Sequence, residues 1–179
     1  MSRKKGGQKA NPPAGGRKGV KRPSHETSQA KTKGRSLVFP LQVVDGWPPY
    51  GSECLPFKVV PGGLQLLVAP LYVKKLSVGD VIAATEEDRE VRSWKHVRPS
   101  NHTTIWLLAI RGNATRDIKR TLKRLGALGC STSHNDDIAV SAIDVPPNVS
   151  IQCVDAELAS LDPEEIGIAY PSFRHAEAL

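Results

Sequence analysis

The chain is 179 residues long and carries a net charge of +7 that is split unevenly along it. Residues 1–36 hold 11 Lys and Arg against one acid, a net +10, and residues 37–179 hold 14 basic against 17 acidic side chains, a net −3. That length suits one ordinary domain or two small ones, and the charge split excludes a body that is itself a polycation.

No apolar run approaches the roughly 20 residues of a membrane span, and the N-terminus lacks the apolar run of a signal peptide. Three cysteines without a CxxC pair fit a reducing compartment better than a disulfide framework. A cytoplasmic protein with no membrane role is expected.

Residues 1–36 combine Gly, Pro, Ser and Lys with almost no large apolar side chains. Such a segment buries too little surface to offset the entropy of ordering, so a disordered basic tail is expected. Its cations, Lys4, Lys5, Arg17, Lys18, Lys21 and Arg22 among them, suit a phosphate backbone and make nucleic acid an alternative partner. No aromatic residue is interleaved for base stacking. The plainer readings are a solubilising tail, or residues added by an upstream start codon.

From Leu37 the texture becomes β-rich. "SLVFPLQVV" reads as a strand, "DGWPPYGSE" as turn formers, "CLPFKVV" as a second strand and "PGG" as a glycine turn. "LQLLVA" and "DVIAAT" supply a third and a fourth strand. In "REVRSWKHV" the alternation places Val91, Ser93, Lys95 and Val97 on one side and Arg92, Trp94 and His96 on the other. Short strands with Gly and Pro turns predict a small antiparallel β-barrel-like subdomain over residues 37–101. "LSVGDVI" reads as a strand-entry device: Gly79 permits a tight backbone and Asp80 bonds nearby amides.

Residues 103–110, "TTIWLLAI", form an apolar run suited to a central strand covered on both faces. "ATRDIKRTLKRLGALG" places Ile118, Leu122 and Leu125 on one helical stripe, with Asn113 or Thr115 as cap and Gly126 at the end. Its outer face carries Arg116, Lys119, Arg120, Lys123 and Arg124, either a solvated surface or a second contact for nucleic acid. "CSTSH" and "IAVSAIDV" read as strands around an "NDD" turn. A helix follows with Ile151, Val154, Leu158 and Leu161 on one stripe, then a closing strand "IGIAY". The order β-α-β-β-α-β predicts a ferredoxin-like α+β subdomain over residues 102–175.

Several stretches of the body carry a resemblance: "FPL", "DGWPPYGSE", "APLYVKKLSVGDVI", "SNHTT", "LGALGCSTSHNDDIAVSAIDVPP" and "GIAY". Together they resemble the bacterial family named domain of unknown function 4265, across residues 37–170. The resemblance maps a Trp-Pro-Pro turn and following glutamate onto Trp47, Pro48, Pro49 and Glu53. It maps a Pro-Phe-Phe stretch and Gly-Asp turn onto Pro70, Leu71, Tyr72, Gly79 and Asp80. A Ser-Gly-His-Ser/Thr-Thr segment falls on Ser100, Asn101, His102, Thr103 and Thr104. This chain departs from the pattern where Leu-Tyr replaces Phe-Phe, where a glycine near Lys75 is absent, and where Pro56-Phe57 follows the glutamate. The resemblance implies fold and limits but no activity.

Glu53, Asp80 and His102 would make an acid–base set if they met in one cleft; otherwise Glu53 ends an exposed strand, Asp80 holds a turn and His102 caps the segment before Thr103. Trp47, beside two prolines, is either buried under the barrel, the expectation here, or presented as a rigid anchor. With Tyr72 these residues form the candidate ligand- or partner-binding set. Cys130, His134, Asp136 and Asp137 lack the tight spacing of a zinc site, and Cys54 and Cys153 are expected as core thiols. Phosphate loops, nucleophile elbows and HExxH helices are missing from the sequence, so no cofactor, metal or catalytic residue is expected. The leading expectation is a non-enzymatic interaction protein, regulatory or immunity-like, with a protein partner. A nucleic-acid-associated protein is the alternative, and an enzyme using Glu53, Asp80 and His102 the third.

Overall fold

The structure is a computed structural model that describes residues 34–111, 114–135, 137–138 and 140–175. The tail cations Lys4 to Arg22, Asn113 and Asp136 lie outside the described residues. The architecture is α+β, mostly antiparallel, with two sheets and two helices.

The first half contributes β1 (Gly34–Pro40), β2 (Ser52–Val60), β3 (Gly63–Leu66), β4 (Val81–Glu87) and β5 (Glu90–Arg98). Each strand pairs antiparallel with the next, and β1 meets β5 at Val38 and Glu90, so the sheet closes into a ring. Alternation along β1 and β2 turns Leu37, Phe39, Leu55 and Phe57 inward, where they join Leu64, Leu66, Leu76, Ile82 and Val91 in one core. β1 already begins at Gly34, inside the stretch whose composition reads as tail.

Two expectations for this half change. β3 stops at Leu66 instead of running on to Ala69: Leu67 still donates to the carbonyl of its in-register partner Pro56, but a proline has no N–H to return and the ladder ends there. In β5 a register shift opposite Thr85 and Glu86 leaves Arg92 without a partner in the ladder. That bulge changes the phase, so Val91 and Trp94 both pack on the ring core instead of facing opposite ways.

The second half contributes β6 (Thr103–Ala109), α1 (Ala114–Leu128), β7 (Ser131–Asn135), β8 (Val140–Val145), α2 (Ile151–Leu158) and β9 (Ile166–Ser172). The strands form an antiparallel sheet in the order β7-β8-β6-β9. Both helices pack on one face, over Ile105, Leu107, Ile143 and Val145. Ser150 caps α2 through its side chain. Thr115 lies inside α1, and the helix runs through Gly126 to Leu128 before Gly129, at φ +104°, turns the chain away. The expected stop at Gly126 is therefore misplaced by one helical turn: nothing there demands a positive φ.

Both halves fall within one compact unit, Thr32–Leu179. They are joined by residues 70–80, a strap that leaves the ring and lies across the sheet face away from the helices. Trp106 donates its indole N–H to the Pro70 carbonyl (2.7 Å), and Thr104 its hydroxyl to the Leu76 carbonyl (3.1 Å). Ser77 and Ser172 share a hydroxyl hydrogen bond at 2.8 Å, and Lys75 N–H donates to the Pro171 carbonyl. β6 is thus covered by helices on one side and by the strap on the other.

Two glycines separate close approach from open space. A Cβ on Gly63 would stand 2.4 Å from the Ile82 carbonyl oxygen, whereas a Cβ on Gly126 meets nothing within 4 Å. Gly63→Ala is expected to cost about 2 kcal/mol or more, because backbone must move. Gly126→Ala is expected to add about 0.5–1 kcal/mol through helix propensity. Urea unfolding of the two variants checks both signs.

Candidate functional site

Glu53 sits on β2 with its side chain buried, 9% exposed, and not at an exposed strand end. Its carboxylate accepts the backbone N–H of Leu71 (2.6 Å), Tyr72 (3.0 Å) and Val73 (2.9 Å). Burial pushes the carboxyl above its ordinary value of 4.5, and the three amides pull the other way.

Asp80, fully buried, anchors the far end of the strap. It accepts the amides of Ser77 (2.9 Å) and Ser100 (2.6 Å), and meets His96 Nε2 at 3.0 Å and the Arg174 guanidinium at 3.3 Å. Gly79, at φ +84°, makes the turn that places it. The turn role read from "LSVGDVI" is what the geometry displays.

His102 caps nothing through its ring. Its Nδ1 lies 2.8 Å from Asp144, whose other oxygen accepts the Ser131 hydroxyl at 3.2 Å. Burial holds the Asp144 carboxyl above its ordinary 3.8, against the opposing pull of His102 and Ser131. No direct hydrogen bond among the described residues joins the side chains of Glu53, Asp80 and His102. Ser100 links the last two, its amide donating to Asp80 at 2.6 Å and its hydroxyl accepting the His102 backbone N–H at 3.4 Å, and Glu53 stands apart.

Trp47 is 43% exposed and not buried. Residues 41–51 form a loop closed by paired backbone bonds between Val44 and Trp47, with Asp45 and Gly46 at positive φ. The Trp47 indole meets Tyr72 edge-on, centroids 6.0 Å apart, and Tyr50 meets it at 6.2 Å. Tyr72 is 9% exposed, its hydroxyl lacks a hydrogen-bond partner among the described residues, and burial pushes its pKa up to about 12.

An open cleft of about 520 Å³ lies here, lined by Phe39, Trp47, Tyr72, Lys74, Trp94 and Trp106 among others. A second, of about 530 Å³, shares Trp47, Lys74 and Trp106 and extends along β9 to Pro171. All three tryptophans of the chain line this surface. Sequence reasoning singled out Trp47 and Tyr72 but missed Trp94, Trp106 and Lys74. The signal for Trp106 was its position between Ile105 and Leu107, which places it on the opposite sheet face; the bulge hid the corresponding signal for Trp94.

The other candidates stand apart from this cleft. On α1, Lys119, Arg120 and Lys123 are exposed, but Arg120 is within 3.4 Å of Asp117, and Arg124 pairs with Glu157. Cys130 is buried and its thiol is pushed up to about 11 by burial, then by Asp144; His134 bonds Ser141. Cys54 and Cys153 are exposed, contrary to expectation, because each falls on the outward phase of its element, between Glu53 and Leu55 on β2 and beside Val154 on α2. No cluster of three or more His, Cys, Asp or Glu able to hold a metal occurs among the described residues. No helix among them is long and apolar enough to cross a membrane.

Removing the Glu53 side chain strands three amides, each worth about 1–3 kcal/mol when buried unpaired. Glu53→Ala is expected to lower unfolding free energy by about 3 kcal/mol or more, as read by urea titration. Asp144 gives a pH signature of stated sign. Its folded carboxyl binds a proton more tightly than the unfolded chain does, so its stabilising contribution is complete below about pH 4 and lost as pH rises through the folded pKa. As pH rises from below the ordinary 3.8 through the raised folded pKa, wild-type stability is expected to fall relative to Asp144→Asn. Parallel stability curves for the two proteins contradict that assignment.

No curated protein matches the sequence. Among solved structures, a hypothetical protein from Neisseria gonorrhoeae is similar at 16% identity and a TM-score of 0.60, covering 79% of this chain and 96% of that one. At that identity the likeness is one of fold. The family described as domain of unknown function (DUF4265) matches residues 58–167, an interval that holds the strap, Asp80 and His102 but not Trp47 or Glu53. The chain belongs to the domain of unknown function 4265 family.

Proposed function

We propose that the chain is a non-enzymatic interaction module, regulatory or immunity-like, which takes up a partner protein along the tryptophan cleft. The observation that carries this reading is the placement of all three tryptophans on one open surface. The polar groups suited to acid–base work are committed to holding backbone and each other. Partly exposed aromatic side chains in a concave, largely apolar setting are the usual energetic centre of a protein interface. In this reading the ring acts as a small barrel and residues 102–175 as a ferredoxin-like unit, supported by the strand order β9-β6-β8-β7 with both helices on one face. Neither fold assigns a function by itself. The exposed α1 cations keep nucleic acid as the competing outcome.

The test is affinity capture by the tagged full-length chain and by Trp47→Ala, with and without nuclease. Trp47 is 43% exposed and its loop is closed by backbone bonds, so the variant is expected to keep its fold. A defined protein, held by the wild type regardless of nuclease and weakened about 10-fold or more by Trp47→Ala, is the expected result. Equal capture by both proteins, or capture lost on nuclease treatment, contradicts it.

A further inference from the structure

We infer that the occupant of the cleft is an extended, acidic peptide segment carrying one large apolar side chain; this deepens the interaction reading and rests on it. Shape is the first argument. The two clefts share Trp47, Lys74 and Trp106, so together they form one trough from the ring rim to β9. β9 is an edge strand, and its Ile168 and Tyr170 are exposed at the far end. An open trough of that form suits an extended segment, whereas small-molecule sites enclose most of their ligand.

Charge is the second argument. Lys74 and Lys75 are exposed in the trough, and no Asp or Glu is among its lining residues. Lys75 holds its position at φ +66°, a left-handed conformation that disfavours any side chain other than glycine. Residues 37–179 as a whole carry net −3, so these lysines form a local positive site on an acidic body. That pattern favours a few carboxylates over a continuous phosphate backbone, which needs many cations.

The third argument is the Tyr72 hydroxyl. It is a buried donor with no partner among the described residues, and Trp47 and Tyr50 pack edge-on against its ring. A peptide side chain that parts these two rings meets that donor, and a carboxylate or carbonyl supplies the missing acceptor.

The experiment is selection from a displayed random octapeptide library on the full-length wild type, on Trp47→Ala and on Lys74→Glu in parallel. The variants keep the basic tail, so any attraction of acidic peptides to the tail is common to all three. The wild type is expected to enrich peptides with several Asp or Glu around a Phe, Tyr, Trp or Leu. Synthesised singly, such a peptide is expected to bind each variant about 10-fold more weakly or worse. Equal enrichment on all three proteins assigns the binding to the tail and overturns the inference. Neutral or basic peptides lost on Trp47→Ala overturn the acidic occupant while leaving the cleft as a docking surface. A random single-stranded oligonucleotide held by the wild type and lost on Trp47→Ala, with no acidic peptide enriched, would replace the peptide with nucleic acid and overturn the inference.

Discussion

One buried carboxylate fixes the centre of this molecule. Glu53, on β2 of the ring, receives three consecutive backbone amides from residues 71–73. Three successive N–H groups converging on one point cannot all be satisfied by a strand or a helix, so that backbone has no regular alternative once it is buried. Hydrogen bonds to a charged acceptor are worth about 1.5–3 kcal/mol each, enough to hold an irregular segment in one geometry. Asp80 does the same work at the other end, gathering two amides, an imidazole and a guanidinium. Between these anchors the strap delivers its carbonyls to Trp106 and Thr104 on β6, and so sets how the ring meets the sheet.

The surface follows from that constraint. Trp106 donates to Pro70, so its indole is oriented by the strap and not by packing alone. Tyr72 lies beneath Trp47 and Tyr50 because its own amide is held by Glu53. Lys74 and Lys75 follow directly and stand exposed beside the aromatic rings. The strap buries Tyr72, Val73, Leu76 and Ser77 and leaves Lys74 and Lys75 exposed, and thereby presents two cations beside an aromatic wall. Preorganisation of this kind lowers the entropy cost of binding without adding contacts.

The sequence displayed what is local and concealed what is not. The alternation in β1 and β2, the glycine turn before β3 and the apolar stripe of α1 are short-range patterns, and the structure contains each. Asp80 was legible as a turn residue because one partner, Ser77, lies three positions away. Its contacts with Ser100, His96 and Arg174 were not, and neither was the reach from Glu53 to an amide 18 residues further on. A bulge in β5 moved Trp94 to the inner side, a change of phase that no alternation rule anticipates. A tryptophan beside two prolines suggests packing and burial, yet the backbone closure between Val44 and Trp47 leaves Trp47 exposed.

Amide hydrogen exchange on the wild type and on Glu53→Gln tests the central role of that carboxylate most directly. Glutamine keeps the size of the side chain but sets an amide N–H₂ against at least one of the three donors. The account predicts that residues 71–73 exchange as slowly as β6 in the wild type, and about 10-fold faster or more in the variant, with β6 and β8 unchanged. Equal protection of residues 71–73 in both proteins would show that packing, and not the Glu53 carboxylate, holds the strap.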